Sequence, residues 1–145
     1  MLHEAELANV SVHDGLLGKE TSGQRHAVDD FFVTGRHAMG RRLGLAAWDV
    51  EGDEIEVLKG AVRTLERDAP VLVLELHVHE RKGFAAALLR MLHGYSVFVV
   101  QEVCGNRYDC RNLLALPRSR RGSFAGSSTV GGRSVGGPIL FKKRS

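Results

Sequence analysis

The stretch "LGLAAWDVEGDEIEVLKGAVRTLERDAPVLVLELH", residues 43–77, changes hydrophobic period twice, and those changes set the fold class. "LGLAAW" is a short apolar run stopped by Asp49 and Gly52, and reads as a β-strand. Ile55, Leu58, Ala61, Val62 and Leu65 then recur at three- and four-residue spacing, one apolar stripe of a helix. Asp53 and Glu54 fall in its first turn and Arg67 in its last, each favoured by the helix dipole, and the periodicity predicts a solvated face carrying Asp53, Glu54 and Glu56. Gly60 weakens such a helix by about 1 kcal/mol against alanine, which predicts close packing there. Pro70 opens "PVLVLEL", a continuous apolar run of the kind found in a strand covered on both faces.

Outward from this segment the pattern continues. "ERKGFAAALLRMLHG" returns to helical spacing through Phe84, Leu88 and Met91 or Leu92, with Gly94 as the expected carboxyl-terminal cap. "YSVFVV" reads as a strand, "QEVCGNRYDC" as a loop and "RNLLALP" as a last strand closed by Pro117. Strand, helix, strand, helix, strand, strand is an α/β order. The final loop is too short for a helical crossover, so one of the last two strands should run antiparallel. Residues 1–25 carry no sustained period and are expected to be irregular, with one short strand and loops.

A chain of 145 residues that is 43% hydrophobic can bury a substantial single core. Of its 20 Lys and Arg, seven fall from Arg118 onward, where no Asp or Glu occurs, so residues 1–117 hold 13 bases against all 17 acids. The basicity therefore belongs to the last 28 residues, which begin "RSRRGSFAGSSTVGGRSVGGP", a Gly/Ser/Arg-rich composition expected to be a disordered tail over 118–145. No aromatic platform accompanies those cations beyond Phe124 and Phe141, so specific nucleic-acid binding is not expected. Two cysteines, Cys104 and Cys110, lack the spacing of a zinc or redox motif and suit a reduced, cytoplasmic chain. Neither a secretory signal nor an apolar run of about 18 residues is visible. "RRGS" places two arginines before Ser123 at a spacing basophilic kinases use, a string frequent by chance.

Ligands of open α/β sheets gather outside the carboxyl ends of the strands. Asp49 and Glu51 stand there after the first strong strand, and Glu75, His77 and His79 after the second; if the strands are neighbours, the two groups share one cleft. Asp49 suits either a helix cap or an acceptor for a ligand. Strand alternation puts Glu75, His77 and His79 on one side, as metal ligands, as a polar substrate lining or as a plain solvated strand end. Asp29 and Asp30 interrupt an apolar patch in a manner suited to a turn. Ser-His-Asp order, a P-loop, H-E-x-x-H and a Gly-rich dinucleotide turn are all missing.

Taken together, "DVEGDEIEVLKGAVRTLERDAPVLVLELH" resembles the signature of the FkbM family of S-adenosylmethionine-dependent methyltransferases, with Asp49, Val50, Glu51, Gly52, Glu54, Val57, Leu58, Gly60, Ala61 and Glu75 in register. "VDDFF" resembles an upstream segment of the family at Asp29 and Asp30, and "GYSVFVV" and "RNLLALP" resemble its closing strands. Ala47 and Trp48 depart from the family's lysine and isoleucine. The resemblance implies a partial Rossmann-like methyltransferase sheet with flanking helices, lacking the first Gly-rich strand-turn unit, so that one edge of the "LGLAAW" strand should lie open. The expected division is an irregular segment at 1–25, an FkbM-like domain at 26–117 and the tail. It further implies methyl transfer from S-adenosylmethionine to an oxygen of a small molecule, sugar or lipid by a truncated chain, with a non-catalytic remnant or binding module of the same fold as the alternative. On that reading Asp49, Glu51 and Glu75 are catalytic, Asp29 and Asp30 touch the cofactor, His77 and His79 line the substrate, and no metal is expected; a completing chain or homo-oligomer is the expected partner.

Overall fold

A computed structural model describes residues 11–35, 40–77, 82–100, 110–120 and 139–142. The segment from Leu43 onward forms the predicted elements in the predicted order: β4 at Leu45–Trp48, β5 at Val71–His77, α3 at Phe84–Met91, β6 at Tyr95–Val100 and β7 at Cys110–Pro117. Between β4 and β5, however, lie two helices, α1 at Glu54–Lys59 and α2 at Val62–Asp68. Before them come three short strands, β1 at Ser11–Asp14, β2 at Leu16–Leu17 and β3 at Arg25–His26, and a wide helical turn at Asp30–Thr34.

The break at Gly60 and Ala61 has a distant cause. Asp29 donates its backbone N–H to the Gly60 carbonyl at 2.8 Å, while its carboxylate accepts the N–H groups of Arg63 (3.1 Å) and Thr64 (2.8 Å). One residue thus satisfies a carbonyl that ends α1 and two amides that begin α2. Gly60 also lies against the backbone of Gly18: a Cβ there would overlap the Gly18 carbonyl oxygen, so the close packing expected of Gly60 is what the structure shows.

β4, β5, β7 and β6 form one sheet in that order. β4 and β5 are parallel, with Leu45 opposite Val71 and Trp48 opposite Leu74; β7 is antiparallel to both β5 and β6, as the short final loop requires. Alternation sends Ala46, Trp48, Leu72, Leu74, Leu113, Ala115 and Tyr95 to one face, where they meet Val57, Leu58 and Ala61 of the helical pair, Leu88 and Leu92, and Phe31 and Phe32. Trp48, out of place in the family pattern, is 8% exposed within this core.

The other face carries Leu45, Ala47, Val73, Leu114 and Phe98, with Leu45 64% and Phe98 50% exposed. The apolar run of β5 predicts cover on both faces. Among the described residues the helices pack on its inner face, and Val71 and Val73 on the other are partly buried. Among the described residues no strand pairs with the second edge of β4.

Within the segment expected to be a tail, Arg118–Arg120 form a turn of 3-10 helix and Ile139–Lys142 form a strand, β8, paired parallel with β1. The rest of that segment, Ser123 included, and most of the Cys104–Cys110 loop lie outside the described residues. No helix among the described residues is long and apolar enough to cross a membrane.

Candidate functional site

β4 and β5 are adjacent and parallel, so their carboxyl ends open at the same edge of the sheet. Trp48 pairs with Leu74, which sets Asp49 and Glu75 at the next level of the two chains. Asp49 is exposed and Glu75 half-buried, with Asn112 of β7 directly opposite the latter. The first acid after β4 and the acid of β5 thus stand side by side along the sheet. Of the histidines, His77 closes β5 opposite Cys110, and His79 lies outside the described residues. No group of three or more His, Cys, Asp or Glu among the described residues could hold a metal.

The loop after Asp49 is tightly turned. Glu51 has φ +49° and Gly52 φ +100°, and Asp53 N–H closes onto the Val50 carbonyl at 3.3 Å. Gly52 adopts this conformation freely; Glu51 takes it at a cost of roughly 1 kcal/mol, in the kind of strained position that gathers at functional sites. The first turn of α1 differs from its expected wet face. Asp53 and Glu56 do meet solvent and hold exposed ion pairs with Arg25 (3.7 Å) and Lys59 (2.6 Å), worth little in stability. Glu54 is instead fully buried, and its Oε1 accepts the Gly52 N–H at 3.1 Å.

Asp29 and Asp30 hold neighbouring parts of the chain. Besides the two amides, Asp29 Oδ1 accepts the Thr64 hydroxyl at 2.7 Å. Asp30 accepts the hydroxyls of Thr21 and Thr34, the latter at 2.6 Å. The Thr21 hydroxyl above all, then that of Thr34, lowers its carboxyl below the usual range against the opposing effect of burial, with His26 adding a smaller favourable charge.

Sequence reasoning missed Glu54, Thr64 and the pair Arg67–Asp68. Asp68 is buried; burial pushes its carboxyl upward, but Arg67 (Nε–Oδ1 and Nη2–Oδ2, both 2.7 Å), the Leu43 N–H (2.8 Å) and the charges of Arg67 and Arg42 together hold it below the usual value. Arg67 also donates to the carbonyls of Phe32 (2.6 Å) and Arg41 (2.9 Å). A signal existed in the spacing. Continued outward from Leu58 and Ala61, the helical period lands on Glu54, Thr64 and Asp68, whereas Val62, placed on the stripe by sequence, is 43% exposed.

The model of the methyltransferase FkbM domain matches residues 20–108, more than half of the chain. The chain belongs to the FkbM methyltransferase family. Searches of curated proteins and of solved structures return no match. Within the FkbM match fall the whole of β4, α1, α2, β5, α3 and β6, the acids of both strand ends, and the Asp29 contact that divides the helices.

Proposed function

We propose that this chain is a methyltransferase unit of Rossmann-like architecture that uses S-adenosylmethionine, with its acceptor site at the carboxyl ends of β4 and β5. One observation carries the reading: in an FkbM family member, two parallel neighbouring strands bring Asp49 and Glu51 to the same edge and Glu75 to the same level as Asp49. The acids suit the donors of the cofactor, whose ribose hydroxyls and ammonium group seek carboxylate acceptors. When bound, S-adenosylmethionine supplies an electrophilic methyl group. Asp49 and Glu75 would accept the hydrogen of an acceptor hydroxyl on a small molecule, sugar or lipid and orient its oxygen, and positioning of this kind supplies much of the acceleration in such transfers. Glu51, in its strained turn, would hold the rim of the cleft, with His77 and His79 lining the acceptor side. Asp29 and Asp30 enter as supports: their oxygens hold Thr64, Thr21 and Thr34. A cytoplasmic setting belongs to the same reading.

Among the described residues no strand pairs with the second edge of β4, which favours a second reading, a binding module of the same fold, completed or not by another polypeptide. Calorimetric titration of the chain with S-adenosylmethionine separates the two. Binding that Asp49→Ala weakens by at least about tenfold, with the melting temperature unchanged, supports the enzyme. No binding up to about 1 mM, an affinity of about −4.1 kcal/mol, favours the module.

A further inference from the structure

Burying a carboxylate is unfavourable unless its oxygens are hydrogen-bonded, and the first turn of a helix ordinarily leaves its acids in water, close to the dipole that favours them. Glu54 departs from that habit: it is 0% exposed, and its side chain reaches back to the Gly52 N–H. The turn that receives it is the one in which Glu51 and Gly52 both take positive φ. A left-handed glutamate persists only where its surroundings hold it there. A side-chain acceptor fixed in the core on the next residue's amide is a direct means of doing so, since an unmade buried hydrogen bond is costly.

We infer that Glu54 is a positioning residue: by accepting the Gly52 N–H from inside the core, it holds the Glu51–Gly52 turn in its left-handed form and so fixes Glu51, and Asp49 before it, at the strand end. The assignment rests on the reading of Asp49 and Glu51 as site acids. It differs from a plain helix cap because the bond reaches past Asp53 to the loop, so its loss should be felt in the loop before it is felt in α1.

The experiment compares Glu54→Leu, which keeps the bulk without the acceptor, with Glu54→Gln, which keeps an acceptor oxygen, in the full chain. Nuclear magnetic resonance reads Gly52 amide exchange and the amide–Hα coupling of Glu51, which reports φ; S-adenosylmethionine is titrated in parallel. The leucine variant should exchange Gly52 at least about tenfold faster, as expected for one lost hydrogen bond, shift the Glu51 coupling, and leave the β5 amides protected. The glutamine variant should restore both loop readouts, and cofactor affinity should fall with leucine and recover with glutamine. A folded leucine variant with wild-type loop values overturns the inference, as does a loosened loop with undiminished affinity. If the wild-type chain binds no cofactor, the reading of the acids as a site fails and the two loop readouts alone decide Glu54. If the leucine variant does not fold, Glu54→Asp, with its acceptor drawn back by one methylene, should loosen the same amide; an unchanged Gly52 overturns the inference.

Discussion

Replacing Asp29 with alanine should unfold this protein more readily than replacing any other half-exposed acid. Three donors lose their acceptor: the amides of Arg63 and Thr64 and the Thr64 hydroxyl. Removal of a helix-capping acceptor costs about 0.5–2 kcal/mol. Thr64 is fully buried, so its stranded hydroxyl adds a further penalty of roughly 1–3 kcal/mol, reduced where water can enter. The expected loss is about 2–4 kcal/mol, a large fraction of the 5–15 kcal/mol typical of a whole domain. For a folded body of this size each kcal/mol moves the melting temperature by roughly 4–8 °C. Urea titration followed by circular dichroism measures the loss directly. A double-mutant cycle with Thr64→Val isolates its cause, because removing both partners of a buried hydrogen bond is far less costly than removing one. The double variant should recover at least about 1 kcal/mol of the sum of the single losses. An Asp29→Ala variant within about 0.5 kcal/mol of wild type, or strict additivity with Thr64→Val, would refute the reasoning. Asp49→Ala, at an exposed position, is the control and should leave stability unchanged.

Gly60→Ala should destabilise by about 1–3 kcal/mol despite alanine's higher helix propensity, because the new Cβ meets the backbone of Gly18 rather than a flexible side chain; a stabilised variant in urea melts would contradict the packing. The carboxyls of Asp68 and Asp30 are lowered in the folded state, so their contribution is complete above the unfolded value near 3.9 and is lost as pH falls through it toward the folded value. The urea midpoint should therefore fall below about pH 4, and Asp68→Asn, weaker at pH 7, should show a flatter acid limb; parallel limbs would argue against the Asp68 network as its source. Phe98→Asp, on the open face of the sheet, should change stability by less than about 0.5 kcal/mol while reducing binding of a hydrophobic dye; a large loss of stability would mean that the face is covered.

Strands β4, β5, β6 and β7 were legible because each is an apolar run of four residues or more bounded by Gly, Pro or a charge, and local pattern suffices for such runs. The division of α1 from α2 was not, because it depends on Asp29, more than thirty residues away, whose "DD" pair reads locally as a turn. β2 and β3, at two residues each, carry too few positions for a period to register. Among the candidate residues, the placing of Asp49 and Glu75 at one end of two neighbouring strands followed from a rule about strand ends plus adjacency, which the sequence could state only as a condition. Glu54 escaped because first-turn acids normally face solvent, and a periodicity argument that begins by sorting residues into apolar and polar removes such an acid from the stripe before the stripe is drawn.

The buried acids also explain how so short a strand stays in place. β4 spans four residues and, among the described residues, has a ladder on one side only, an arrangement that by itself is weakly held. Asp68, at the end of α2, accepts the N–H of Leu43, two residues before the strand; Glu54, at the start of α1, accepts the N–H of Gly52, four residues after it. The two helices after β4 thus grip the backbone on both sides of it through buried carboxylates, and Asp29 locks those helices to each other. Asp49 lies between the two grips, so its place on the backbone is set by side chains buried in the core. That is the arrangement a surface acid needs if it is to meet a ligand in a fixed place while leaving its carboxylate open to solvent.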